Sequence, residues 1–176
     1  LSDIAPAARC SLAQFYRRFP RTEALIIGLF DRTAHRLRAY VADAPAGTVA
    51  ERFQYLMDNL LALLRPNRPL YRHLMPALLD PENRLGVLGP ATDRIRVEVR
   101  GIYTLLVLGA TDAPARKQVE KLVELLYFAH LGLIFLFLQD QHDDDEFVQN
   151  NIGLACDLIT IARKAILNSG RNWLTG

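Results

Sequence analysis

The most constraining feature of this sequence is the nearly apolar run Leu125–Leu138, which His130 interrupts. A membrane span needs about 18 apolar residues or more, so this shorter run predicts a buried helix rather than a transmembrane one. Its apolar side chains surround almost the whole helix, and a helix that is apolar on every face must be buried on every face. One small domain rarely has enough core for that, so a second subunit could cover the outer face.

The last helix is expected to start at the acidic stretch 143–146 and to reach about Asn168. Carboxylates at a helix start interact favourably with the helix dipole, so this stretch is read as a helix start rather than a metal site. The helix is also apolar, and together with the preceding helix it could form a four-helix dimer interface. The alternative is a monomer whose helices cover each other. The apolar residues are Ile152, Leu154, Ala155, Leu158, Ile159, Ile161, Ala162 and Ile166.

Helical patterns recur along the whole chain, whose 176 residues suit one domain with at most a small appendage. No stretch alternates apolar and polar residues as a half-buried strand does, so the sequence predicts an all-α fold. Thr48 and Glu51 form a capping box before an apolar helical repeat that Pro66 and Pro69 end. Further helices are expected at about 70–79, around Ile95–Leu106, and from after Pro114 to about Gln139.

Composition and charge narrow the function. Hydrophobic residues make up 51% and charged residues 23%, which excludes a disordered chain and a disulfide scaffold. Cys10 and Cys156 match no metal spacing, so a reducing, cytoplasmic compartment is the simplest interpretation. The motifs H-E-x-x-H and G-x-S-x-G and a glycine-rich phosphate loop are all missing, so no enzyme, catalytic residue, cofactor or metal site is predicted. Residues 1–40 carry seven arginines against three acidic residues, which suggests an anionic partner or a solvated helix face.

The first forty residues contain two short helical patterns with the spacing of a helix-turn-helix. Ser2 can cap the first, and Ser11 with Gln14 can form a capping box at the second. A helix of that size fits the major groove of DNA, where Gln14 could pair with an adenine edge. Tyr16 and the neighbouring arginines could contact phosphates. On spacing and charge alone, plain packing of two short helices remains the alternative.

The segment DIAPAARCSLAQFYRRFPRTEALI resembles the DNA-binding segment of the TetR/AcrR family of bacterial transcription regulators. The family pattern runs roughly I-A-x-x-A-G-V-S-x-x-x-[LF]-Y-x-x-F-x-[ST]-K-E-x-L, and the gaps agree without an insertion. The matching positions are Ile4, Ala5, Ala8, Ser11, Phe15, Tyr16, Phe19, Glu23, Ala24 and Leu25. The resemblance implies a DNA-contacting set of Ser2, Ser11, Leu12, Ala13, Gln14, Tyr16, Arg17, Arg18, Arg21 and Thr22.

The resemblance also implies an architecture. Residues 1–40 would hold the helix-turn-helix and the connecting helix, and residues 41–176 would form a helical effector-binding and dimerisation domain. The family's first helix precedes the segment that starts this chain, so the helix-turn-helix is expected to be incomplete here. Arg9 stands where the family has glycine, and Thr22 stands where it has lysine. Arg21 could replace the lysine as a phosphate partner, or Thr22 could cap the next helix.

A ligand pocket is expected between the helices of the body, with mostly apolar walls and a few polar anchors. The candidate lining residues are Met57, Tyr71, His73, Met75, Arg96, Tyr103, Tyr127 and His130, with Leu60, Leu106 and Phe135 as further wall residues. The expected function is a one-component regulator, a repressor, that binds a pseudo-palindromic operator as a homodimer. A small, largely apolar effector would release it. The alternative is a degenerate family member that works as a ligand-binding or protein-interaction module and binds DNA weakly.

Overall fold

The computed structural model of the protein describes residues 22–142 and 146–169. In these ranges the chain forms six α-helices and two 3₁₀ turns, and it contains no strand. The elements are α1 (Thr22–Ala42), α2 (Val49–Leu64), a 3₁₀ turn (Arg65–Asn67), α3 (Arg68–Leu79), a second 3₁₀ turn (Pro90–Thr92), α4 (Asp93–Leu108), α5 (Arg116–Gln139) and α6 (Glu146–Ser169). The prediction of an all-α fold is confirmed for this part of the chain.

The boundaries of α2 follow from local sequence, as predicted. The Thr48 hydroxyl accepts a hydrogen bond from the Glu51 backbone N–H at 3.3 Å, and the Glu51 carboxylate accepts one from the Thr48 backbone N–H at 2.7 Å. Hydrogen bonds from the Thr48 backbone and side chain hold the pKa of the Glu51 carboxyl below its usual value. The helix ends at Leu64 because Pro66 cannot donate a backbone hydrogen bond and its ring clashes with the preceding turn.

Helix α2 is the centre of the core, since it packs against α1, α4, α5 and α6. Around it, α4 packs along α5, and α6 packs on both α2 and α5. Helix α3 connects to this body mainly through α5. The residues of α2 that are buried are Val49, Arg52, Phe53, Leu56, Met57, Leu60, Leu61 and Leu64.

One buried charge, Arg52, ties three helices together. Its guanidinium donates hydrogen bonds to the carbonyls of Val41 at 3.3 Å, Ala44 at 3.3 Å and Pro45 at 3.0 Å, beyond and at the end of α1. It also donates to the carbonyl of Leu106 near the end of α4, at 3.2 Å. The last carbonyls of a helix lack partners within that helix. Arg52 therefore fixes the C-terminal end of α1 to the body.

Helix α5 carries the predicted apolar run, and one face of it lies in the core. Leu126, Leu133 and Phe137 are buried, whereas Phe128 is 58% exposed and Phe135 is 40% exposed. By length and composition α5 is apolar enough to cross a membrane, a test that core helices of soluble proteins also pass. In its most apolar window, 44% of the residues are buried inside the fold. Within this chain the run is therefore buried on its core side and partly exposed elsewhere, so burial on every face is not observed.

Helix α6 shows the same two-sided pattern. Its inner face buries Val148, Ile152 and Ile159 against α2 and α5. An exposed apolar stripe follows its outer face, with members three, four or seven residues apart, and we call it the α6 stripe. It consists of Phe147, Leu154, Leu158 and Ile161. The predicted start at 143–146 agrees with α6 at Glu146, while residues 143–145 lie outside the described ranges.

Candidate functional site: an apolar cavity beside the first helix

A cavity of about 400 Å³ lies among α1, α2, α3, α4, α5 and the loop 80–92. This volume is within the range of small-molecule sites, which run from about 300 to 1,000 Å³. Nearly all the lining side chains are apolar. The lining residues are Phe30, Thr33, Ala34, Leu37, Leu60, Leu64, Tyr71, Met75, Leu78, Leu79, Leu85, Val87, Leu88, Thr92, Ile95, Arg96, Val99, Tyr127, Phe128, His130, Leu131, Ile134, Phe135 and Leu138.

His130 is the most unusual group in this wall. It is 7% exposed, and its burial lowers the pKa of the imidazole from 6.5 to about 4, so the ring is neutral at pH 7. Its ring centroid lies 5.6 Å from that of Tyr103 and 6.2 Å from that of Tyr127. The His130 Nδ1 and the Tyr103 hydroxyl are both buried and have no hydrogen-bond partner within the described part of the chain. Such atoms are costly to leave unsatisfied. Of these two residues only His130 lines the cavity, so it is the candidate partner for a polar ligand group.

Tyr127 lies at the boundary between the cavity and a charged surface. Its ring packs under the Arg100 guanidinium, whose central carbon is 4.8 Å from the ring centroid. Arg100 donates to the Glu124 carboxylate at 3.0 Å, and burial raises the pKa of the Tyr127 hydroxyl. Arg100 and Glu124 also line a second depression of about 720 Å³ with Arg116 and Glu120. That charged lining is typical of a solvated groove rather than of an apolar ligand site.

Arg96 supports the loop that covers one side of the cavity. Its guanidinium donates to the carbonyls of Val87 and Gly89, each at 3.1 Å, and pairs with the Asp93 carboxylate at 2.7 Å. The Thr92 hydroxyl donates to the carbonyls of Gly86 at 2.7 Å and Gly89 at 3.0 Å. The charge of Arg96 is therefore used within the protein, and its role is to hold the loop in place.

Of the predicted pocket residues, some line the cavity, some lie in the core, and His73 is exposed. Tyr71, Met75, Arg96, Tyr127 and His130 line the cavity, as do Leu60 and Phe135 of the expected walls. Met57, Tyr103 and Leu106 are fully buried in the core and are not part of the lining.

His73 is exposed and lies away from the cavity, which corrects the expectation that it faces the ligand. Tyr71 and Met75 are four residues apart and share one face of α3, whereas His73 is about 200° around the helix from Tyr71.

Sequence reasoning missed the contribution of α1. Phe30, Thr33, Ala34 and Leu37 form one wall of the cavity. Their spacing of three and four residues marks one face of a helix, which is the pattern that could have identified them.

The predicted DNA-contacting residues fall almost entirely outside the described ranges. Ser2, Ser11, Leu12, Ala13, Gln14, Tyr16, Arg17, Arg18 and Arg21 precede them, and Thr22 is the first residue of α1. Within residues 22–142 and 146–169, no group of three or more His, Cys, Asp or Glu side chains could hold a metal ion. Comparison with protein-family models and with curated protein sequences gives no match for this chain.

Proposed function

We propose that this chain is a one-component transcriptional regulator, a repressor, that a small and largely apolar effector releases from DNA. The observation that carries the proposal is the double role of α1. The last residues of the helix-turn-helix resemblance, Glu23, Ala24 and Leu25, belong to α1. The same helix lines the cavity one to three turns later. A ligand in the cavity would thus press on the helix that leads directly from the DNA-reading segment.

The contacts of α1 support a coupling between the cavity and the DNA-binding segment that precedes α1. Arg52 holds the C-terminal end of α1 through several carbonyls, so that end is the fixed point. Nearer its start, α1 packs on α4 with Ile26 buried, and it makes exposed ion pairs of Asp31 with Arg94 and of Glu23 with Arg84, the latter at 3.9 Å. Exposed pairs contribute little energy, typically about 0–1 kcal/mol. An effector between α1 and α5 would shift the start of α1. In a dimer, this shift would change the distance between the two DNA-binding segments.

The proposal includes a homodimer formed by the outer faces of α5 and α6. The α6 stripe is an uncovered apolar face, as expected for a helix that a second subunit covers, whereas the exposed Phe128 and Phe135 of α5 also line the cavity. Ile161→Glu should convert the dimer to a monomer in sedimentation velocity. Thr160→Glu places the same charge on the neighbouring exposed position outside the stripe and should leave the dimer intact. A wild-type protein that sediments as a monomer at micromolar concentration would contradict this interface.

DNA binding is tested by selection from a random duplex library at physiological salt. Enrichment of a pseudo-palindrome is expected, because a twofold dimer presents two reading helices about one DNA turn apart. The double variant Gln14→Ala with Tyr16→Phe should abolish enrichment. The matched control carries the same two changes on α2, Gln54→Ala with Tyr55→Phe, and should retain it.

The effector step follows from linkage, since a ligand that weakens operator binding is itself bound more weakly by the operator complex by the same factor. A coupling of about 5–150-fold is typical. The second candidate, a ligand-binding or protein-interaction module with weak DNA binding, is favoured by Arg9 and Thr22 and is compatible with the same cavity. Failure of the folded, dimeric protein to enrich any sequence would favour this candidate over the repressor.

A further inference from the structure

Several polar groups of the cavity wall already have hydrogen-bond partners within the protein, among them the Tyr71 hydroxyl, which pairs with Thr33. The Thr33 hydroxyl donates to the Leu29 carbonyl at 3.0 Å, and Thr92 donates to two loop carbonyls. Arg96 is the only charged side chain that lines the cavity in the described part of the chain, and Asp93 and the loop use its charge. The His130 Nδ1 has no such partner there.

The same inventory disfavours a charged ligand. Among the described residues no carboxylate lines the cavity, so a cation would find no counter-charge in this lining. An anion would have to compete with Asp93 for Arg96. Transfer of an unpaired charge from water into an apolar site is far more costly than transfer of a neutral polar group. The ligand that fits this wall is uncharged and mostly hydrocarbon.

The free Nδ1 specifies the polar group of that ligand. A neutral imidazole has one nitrogen that donates and one that accepts, depending on the tautomer. A hydroxyl can both donate and accept, so it satisfies Nδ1 in either tautomer. Tyr103 packs its ring against His130 but is not part of the lining, so its hydroxyl is not counted as a partner for the ligand.

We propose that the cavity takes a neutral, mostly hydrocarbon alcohol or phenol whose hydroxyl group forms a hydrogen bond with His130. This inference rests on the effector half of the proposed function and names the chemistry of that effector. The hydrocarbon part would lie against the walls from α1, α3 and α5, with the hydroxyl towards His130.

Four small-molecule probes test this proposal, namely decan-1-ol, decane, decanoate and decyltrimethylammonium. They share a ten-carbon alkyl group and differ in the group at its end. Their affinities are measured on the full chain by displacement of a fluorescent apolar dye. Decan-1-ol should bind more tightly than either charged probe. In His130→Phe, which keeps an aromatic ring, decan-1-ol should lose about tenfold in affinity, the worth of one hydrogen bond. Decane should change less than twofold.

The matched control is His73→Phe, because it makes the same replacement at an exposed position outside the cavity. It should leave the affinities of all four probes unchanged. The ranking of the probes on the wild-type protein needs no variant, so it tests the proposal even if His130→Phe fails to fold.

The outcomes separate this inference from the proposed function. Tighter binding of decanoate or decyltrimethylammonium than of decan-1-ol overturns the inference alone, because the cavity then still binds an amphiphile. An equal loss for decan-1-ol and decane in His130→Phe also overturns it alone. If no decyl probe displaces the dye, the effector cavity of the proposed function is wrong as well. Because no DNA is present in the assay, failure to find an operator leaves all of these results interpretable.

Discussion

Acidification from pH 7 to pH 5 should destabilise the folded protein through His130. Burial lowers the pKa of this imidazole from 6.5 to about 4. Between these two pH values the unfolded chain binds a proton at His130 and the folded protein does not. Stability from this group is therefore fully present above pH 6.5 and is lost as the pH falls from 6.5 towards 4. The full shift corresponds to about 3 kcal/mol, of which about 2 kcal/mol is lost by pH 5.

The assay is urea unfolding followed by circular dichroism at pH 7, 6 and 5, at one protein concentration because a dimer's stability depends on concentration. The variant His130→Phe should lack the His130 component, so its unfolding free energy should fall by about 2 kcal/mol less than that of the wild type. Other titrating groups are common to both proteins and cancel in the difference. His73→Phe removes an exposed histidine and should follow the wild type. Parallel curves for wild type and His130→Phe would refute a buried, neutral imidazole.

Four further substitutions test the packing and capping of the helices around the cavity. Arg52→Lys keeps the charge but loses the forked donors that satisfy carbonyls of two helices, so it should cost about 3 kcal/mol in urea unfolding. Equal midpoints for the two proteins would rule out this anchor. Gly89→Ala would place a Cβ 2.4 Å from the Arg84 carbonyl oxygen, and it should lower stability by about 2 kcal/mol. Gly101→Ala meets open space within α4 and should instead raise stability by about 1 kcal/mol, so a thermal scan should show opposite shifts for the two alanines. Thr48→Ala removes the helix cap and should cost about 1 kcal/mol, and an unchanged melting temperature would contradict the capping box.

Much of the fold could be predicted from the sequence because its determinants are local. The cap at Thr48, the stop before Pro66 and the breaks at Gly86, Gly89 and Pro90 depend on residues within a few positions of one another. The predicted helices at 70–79 and around Ile95–Leu106 correspond to α3 and α4. The predicted helix ending at about Gln139 corresponds to α5.

The ligand site could be predicted only in part. A helical period groups Tyr71 with Met75, but it does not say which face of α3 turns inward, so His73 was included although it is exposed. Tyr103 was included for its chemistry, yet α4 places its whole side chain in the core beside Phe53, with ring centroids 6.0 Å apart. The wall residues of α1 were missed because their partners on α5 lie about a hundred positions further along the chain.

The sequence by itself determined where the helices begin and end, since caps, prolines and apolar periods act through hydrogen bonds and sterics within a turn or two. It also predicted that α5 and α6 are apolar on more than one face, and the exposed Phe128 and Leu154 agree with this. Only the tertiary structure decided that α1 and α5 face each other across a cavity and that Arg52 anchors α1. It also decided that the His130 Nδ1 is left without a partner in the described chain. These features depend on how distant helices pack, because burial and hydrogen-bond satisfaction belong to the assembled core rather than to any one segment.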